Sequence, residues 1–291
     1  MKNDNLTLKR SIHYFCKMQM LKRIFDFYVF SNIHVALAVY CLTKITLFEK
    51  RIDSNLIPLF VLFSTIVSYN LIRFYSTSET QHWLDIFVKK NRKILFGMTL
   101  LSGVGLIYLT FQLQIKGIIS LLPFGFFTLF YIIPLPFQKK SSVAFRNVAL
   151  LKLFLIAISY AGVTVLFPLI NYNMEIGLNE TVIFIQRFLF IAAITIPFDI
   201  RDLKFDRADL KTIPQVLGIQ KSKVVGLFFL MLFLGLEFFK YPNSNNLTIN
   251  LIIAILSLMF ILKSIPNQNK YYSAFFIEGL PIIWMFLVVF S

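Results

Sequence analysis

Runs of about twenty apolar residues recur along almost the whole chain, and nothing else in it constrains the fold as tightly. Each run is long enough for a helix to cross a hydrocarbon core of ~30 Å. Backbone N–H and C=O groups in lipid have no water to bond, so a spanning segment must pair them internally, as a helix does. The runs lie at Phe25–Phe48, Asn55–Phe74, Ile94–Gln114, Gly117–Phe137, Val148–Ile170, Val182–Ile200, Val224–Lys240, Thr248–Lys263 and Tyr271–Phe290. They predict an all-α polytopic bundle of about nine transmembrane spans. Only Lys116 and Gly117 separate the third run from the fourth, which predicts a tight hairpin at that pair. With 57% hydrophobic and 15% charged residues, the chain has too little polar surface to cover a soluble globule of 291 residues. Residues 1–24 read as a basic tail and 25–291 as one transmembrane domain.

The net charge of +15 would suit a nucleic-acid partner, but its placement is that of a topology signal and implies none. Cations crowd the tail (Lys2, Lys9, Arg10, Lys17, Lys22, Arg23) and the loops that follow the even-numbered spans, among them Arg73, Lys89, Lys139, Lys140, Arg201 and Lys204. The opposite face has only Lys44, Lys50, Arg51, Lys116 and Lys240. The positive-inside rule therefore puts the N-terminus in the cytoplasm and the C-terminus outside, as expected of an integral protein of a bacterial cytoplasmic membrane. An even number of spans would spoil the asymmetry. The first run ends without a small-residue cleavage site and reads as a retained span. This topology keeps Cys16 and Cys41 too far apart to bridge.

The acids are scarce and clustered. Of 14 acidic residues, Asp199, Asp202, Asp206 and Asp209 fall together at the end of the sixth run. Continued as a helix, offsets of 3, 7 and 10 put all four within an arc of about 80°, with Arg201, Lys204, Arg207 and Lys211 pointing elsewhere. Like charges so spaced repel, and a hard cation such as magnesium, bridging to phosphate oxygens, would relieve them. The plainer alternative is a solvated loop whose acids pair with their basic neighbours.

Two further clusters lie on the same face. After the fourth run come Tyr131, Pro134, Pro136, Lys139, Lys140, Arg146 and Asn147, with Lys152 just beyond, cations suited to phosphate oxygens or to plain anchoring. At the end of the second run stand Asn70 and Arg73, followed by Glu79 and His82. Asn70 could equally bond a neighbouring helix and Arg73 snorkel to the interface. No second His or Cys lies at ligand spacing from His82, which reads as a loop residue.

Taken in order, these segments resemble the UbiA superfamily of intramembrane prenyltransferases over nearly the whole chain. That family has nine transmembrane helices and two acid-rich motifs, after the second and sixth helices, that bind magnesium and an isoprenoid diphosphate. Asp199-Ile-Arg-Asp202-Leu-Lys-Phe-Asp206, followed by Lys211-Thr-Ile-Pro-Gln-Val-Leu-Gly218, looks like the second motif. Tyr131 to Asn147 is similar to the segment after the family's fourth helix. The resemblance implies that Asp202 and Asp206 hold magnesium with Asp199 beside them, and that Asn70, Tyr131, Lys139, Lys140, Arg146 and Lys211 contact substrate; Arg73, outside the family pattern, is a further candidate to contact phosphate directly. The first motif departs from the family pattern: Asn70-x-x-x-Phe74-x-x-x-Ser78 keeps the asparagine and lacks both acids.

The implied activity is transfer of a polyprenyl group from an isoprenoid diphosphate to a lipophilic acceptor such as an aromatic ring or quinone precursor. A catalytically silent relative that binds isoprenoid or lipid phosphates is the alternative, supported by the missing acids. A transporter would need ionisable residues deep in its spans, for which Arg187, Glu237 and Glu278 are the candidates.

Overall fold

The computed structural model of the protein describes residues 18–75, 83–132, 151–206, 211–240 and 246–291, and among these it is helical with no strand. The helices are α1 (Met18–Phe30), α2 (Ile33–Glu49), α3 (Leu56–Tyr75), α4 (Trp83–Thr110), α5 (Ile115–Ile132), α6 (Leu151–Ala161), α7 (Phe167–Asn171), α8 (Leu178–Asp202), α9 (Ile213–Leu217), α10 (Ile219–Gly235), α11 (Asn246–Lys263) and α12 (Leu280–Val289). Among the described residues six helical stretches are long and apolar enough to cross a membrane, or seven if the bent pair α1 and α2 is one span. Two shorter apolar helices lie at Ile115–Phe127 and Leu247–Lys263. The bundle turns apolar side chains outward, as a lipid-facing surface does: on and just after α4, Leu101 is 75% exposed and Phe111 85%.

The centre of the bundle is α8, two-thirds of whose most apolar window is buried (67%). It packs against α6, α10 and α11. Lipid offers helices no hydrophobic drive to associate, so shape and polar contacts must hold them. Phe190 of α8 supplies shape, with its ring centroid 5.0 Å from that of Trp284 and 6.1 Å from that of Phe233. Gly162 does so by absence: a Cβ there would stand 2.1 Å from the ring of Phe124, so the smallest residue lets α5 close on the π-helical turn Gly162–Leu166 between α6 and α7.

Helix α4 begins at Trp83, well before the expected Ile94, and three other differences from the sequence expectation bear on the site. Phe25–Phe48 is two helices bent by 52°, because Asn32 takes a left-handed conformation (φ 72°) that asparagine tolerates better than most residues. Polar groups buried at the break bind it to the rest of the bundle. Asn32 Nδ2 donates to Asn70 Oδ1 at 2.7 Å, and His34 pairs with Tyr28 OH at 2.8 Å and the Phe275 carbonyl at 2.9 Å. The hairpin expected at Lys116 and Gly117 lies just earlier, between Thr110 and Ile115, so that both residues are inside α5. Asn171 Oδ1 receives the Gln114 N–H at 3.0 Å, and Gly117 gives that side chain room. The helix carrying the acids ends at Asp202, where Phe205 N and Asp206 N both return to the Asp202 carbonyl at 2.8 Å. The four acids therefore do not share one helical face: Asp206 stands in the turn, and Asp209 lies outside the described residues.

Candidate functional site

A cavity of about 480 Å³ lies within the bundle. Much of its wall is aliphatic, with Val35, Val39, Leu42, Ile156, Val163 and Ile191. Its charged lining comes from four separate parts of the chain: Arg73 at the end of α3, Lys152 at the start of α6, Asp199, Arg201 and Asp202 at the end of α8, and Glu278 just before α12. An apolar chamber with a few convergent polar groups is the usual form of a small-molecule site, and ionisable residues inside a membrane bundle mark function more often than architecture.

The charges are mutually arranged. Lys152 Nζ stands 3.0 Å from Asp199 Oδ1 and 3.1 Å from Asp206 Oδ2. Its approach to Asp206 is a hydrogen bond, whereas that to Asp199 has ion-pair distance without hydrogen-bond direction. Arg201 donates from Nε and from its terminal nitrogen to the two oxygens of Asp202, at 2.8 and 2.9 Å. Such a fork is the strongest geometry these two groups can form. Glu278 interacts electrostatically with both Arg201 and Arg73. On the cavity wall the hydroxyls of Tyr69 and Tyr160 meet at 2.6 Å.

Of the residues singled out in the sequence, Asp199, Asp202 and Arg73 line this cavity, and Asp206 joins it through Lys152. Arg73 is structural as well, since it donates to the Phe30 carbonyl at 2.6 Å and so caps the end of α1 where the chain breaks. Asn70 is absent from the lining. It is 1% exposed, and its amide is spent on Asn32 and on Thr99 Oγ1 at 3.0 Å. Lys211 is exposed, with φ of 44°, and does not line the cavity. Tyr131 ends α5 with its side chain undescribed, and Lys139, Lys140, Arg146, Glu79 and His82 lie outside the described residues. The sequence reading sent Arg201 away from the acids, yet it grips Asp202 and lines the same cavity. Its adjacency to Asp202 was the available signal.

The carboxylates also bear on the magnesium ion that the resemblance implies. Among the described residues, no three or more His, Cys, Asp or Glu side chains are grouped to hold a metal. Asp202 and Asp206, which would share a metal, are held by different cations, Arg201 and Lys152. The point on which Asp199 and Asp206 converge is taken by the Lys152 ammonium, so as they stand these residues do not fit a magnesium ion.

Two other buried charged side chains, Arg187 and Glu237, sit apart from the cavity and have partners. Arg187 donates to the Leu42 carbonyl at 2.7 Å and lies 5.1 Å from the centroid of the Trp284 ring. Glu237 accepts from Gln186 and Asn250, each at 2.8 Å, with Lys240 at 3.3 Å. Comparison with protein families, curated proteins and solved structures finds no match for this chain.

Proposed function

We propose that the chain is a UbiA-like intramembrane prenyltransferase of nine spans, which takes an isoprenoid diphosphate into the cavity and passes its prenyl group to a lipophilic acceptor. The observation that carries this reading is the convergence, in one apolar cavity, of charged residues from the ends of α3 and α8 with Lys152 and Glu278. The aliphatic wall suits a prenyl tail, and the arginines and lysine suit its phosphates. The span count follows if the six long stretches, the bent pair and the two shorter apolar helices all cross. The distribution of lysine and arginine then favours a cytoplasmic N-terminus and a C-terminus outside.

In this reading the allylic C–O bond breaks and its electron pair leaves with the diphosphate. Arg73, Arg201 and Lys152 lower the cost of the charge that develops on the leaving group. The rings of Tyr69 and Tyr160, which line the cavity, shield the allylic cation. A carbon of the acceptor supplies the electron pair of the new C–C bond, and the proton it loses passes to the departing diphosphate.

A second reading, a protein that binds the diphosphate without transferring the prenyl group, is favoured by Phe74 and Ser78 at the positions where the resemblance expects acids. Both readings predict that the detergent-solubilised protein binds radiolabelled geranylgeranyl diphosphate and that excess inorganic diphosphate displaces it. Release of diphosphate in the presence of membrane-extracted quinone precursors separates transfer from silent binding. No binding at all would defeat both.

A further inference from the structure

We propose that Lys152 is a built-in replacement for a divalent cation: its ammonium occupies the bridging position between Asp199 and Asp206, so the acid cluster needs no metal. The inference deepens the reading of the cavity as a diphosphate site, because it says that protein cations alone meet the headgroup.

Three observations carry it. Lys152 comes from a different helix than the acids and reaches both carboxylates, at 3.0 and 3.1 Å. Its side chain is 14% exposed and that of Asp199 2%, so the bridge is mostly withdrawn from water, where an unmatched carboxylate would be costly. The third acid, Asp202, has both oxygens in the Arg201 fork. Every described carboxylate of the cluster thus has a protein cation against it. The sequence agrees, since Phe74 and Ser78 stand at the positions where the resemblance expects the acids for a second metal.

A bridging lysine and a bridging metal differ in a measurable way. Removing the lysine should uncover two carboxylates that can take a metal, and so create a metal dependence that the natural protein lacks. Manganese(II) is the probe, since it accepts the oxygen ligands that magnesium does and is read by electron paramagnetic resonance. The purified wild-type protein should show no saturable site up to millimolar manganese. Lys152→Met should gain one that is at least about tenfold tighter, through two uncompensated carboxylates, and adding Asp199→Asn should abolish it.

In parallel, geranylgeranyl diphosphate affinity of the wild type should stay within about threefold between EDTA and excess magnesium, because no ligand-bound metal is being removed. A saturable manganese site in the wild type, or a larger loss of affinity in EDTA, would overturn the proposal. Both measurements use the wild type, so they decide the matter even if Lys152→Met fails to fold. If geranylgeranyl diphosphate binds in neither buffer, the diphosphate reading of the cavity fails, and the manganese comparison still decides the role of Lys152.

Discussion

Arg187→Ala should destabilise the bundle by about 3–5 kcal/mol, the cost typical of removing one member of a buried charge arrangement. Arg187 is 2% exposed in the middle of α8. It ties α8 to α2 through the Leu42 carbonyl at 2.7 Å and Thr46 Oγ1 at 3.5 Å, and it lies 5.1 Å from the centroid of the Trp284 ring on α12. Glu49, at the end of α2, is its electrostatic partner. Truncation would open a cavity beside the central helix and leave that carboxylate without its cation. Adding Glu49→Gln to Arg187→Ala should recover part of the loss, since neighbouring charges are coupled. Thermal unfolding in detergent measures both. A loss under about 1 kcal/mol would show that Arg187 does not hold these helices together. Arg187 is outside the cavity lining, so the fraction that stays folded should bind ligand normally.

Arg73→Ala should weaken geranylgeranyl diphosphate binding about 10- to 100-fold, the equivalent of a charge-assisted hydrogen bond worth about 1.5–3 kcal/mol. Arg73 serves two purposes, as a cation lining the cavity and as the cap on the Phe30 carbonyl, and the variant removes both. Binding of geranylgeraniol, which has the tail without the phosphates, tells them apart. If Arg73 reads phosphate, the alcohol should bind the variant as it binds the wild type. If its importance is the break between α1 and α2, both ligands should weaken together. Arg73→Lys should restore only part of the diphosphate affinity, because a point charge cannot reproduce a planar fork.

Apolar runs of spanning length led to helices that, among the described residues, are long and apolar enough to cross a membrane, because run length is a local property that lipid enforces directly. Of the acids concentrated after the sixth run, Asp199 and Asp202 line the cavity. What the sequence could not supply was partners distant along the chain. Asp206 is fixed by Lys152, 54 residues earlier, and Asn70 is taken by Asn32, 38 residues earlier. A helical-wheel projection extends α8 through Asp206 and Asp209, whereas the chain turns after Asp202 and brings Asp206 to the lysine that also meets Asp199. Asn32 sits inside a stretch that is apolar on average, so hydropathy alone shows one span there and not a bent pair. Glu278 was visible as an acid inside an apolar run. Its electrostatic pairing with Arg73 and Arg201 depends on how the last helix packs.

The central claim is that an isoprenoid tail lies in the cavity with its diphosphate among Arg73, Lys152 and Arg201. The most direct measurement is photolabelling with a geranylgeranyl diphosphate analogue carrying a diazirine on its tail, followed by peptide mapping. The account predicts labels on cavity residues of α2 and α6 such as Val35, Val39 and Ile156, suppressed by unlabelled geranylgeranyl diphosphate. Labels confined to lipid-facing residues such as Leu101 and Phe111, or labelling that the unlabelled diphosphate does not reduce, would contradict it.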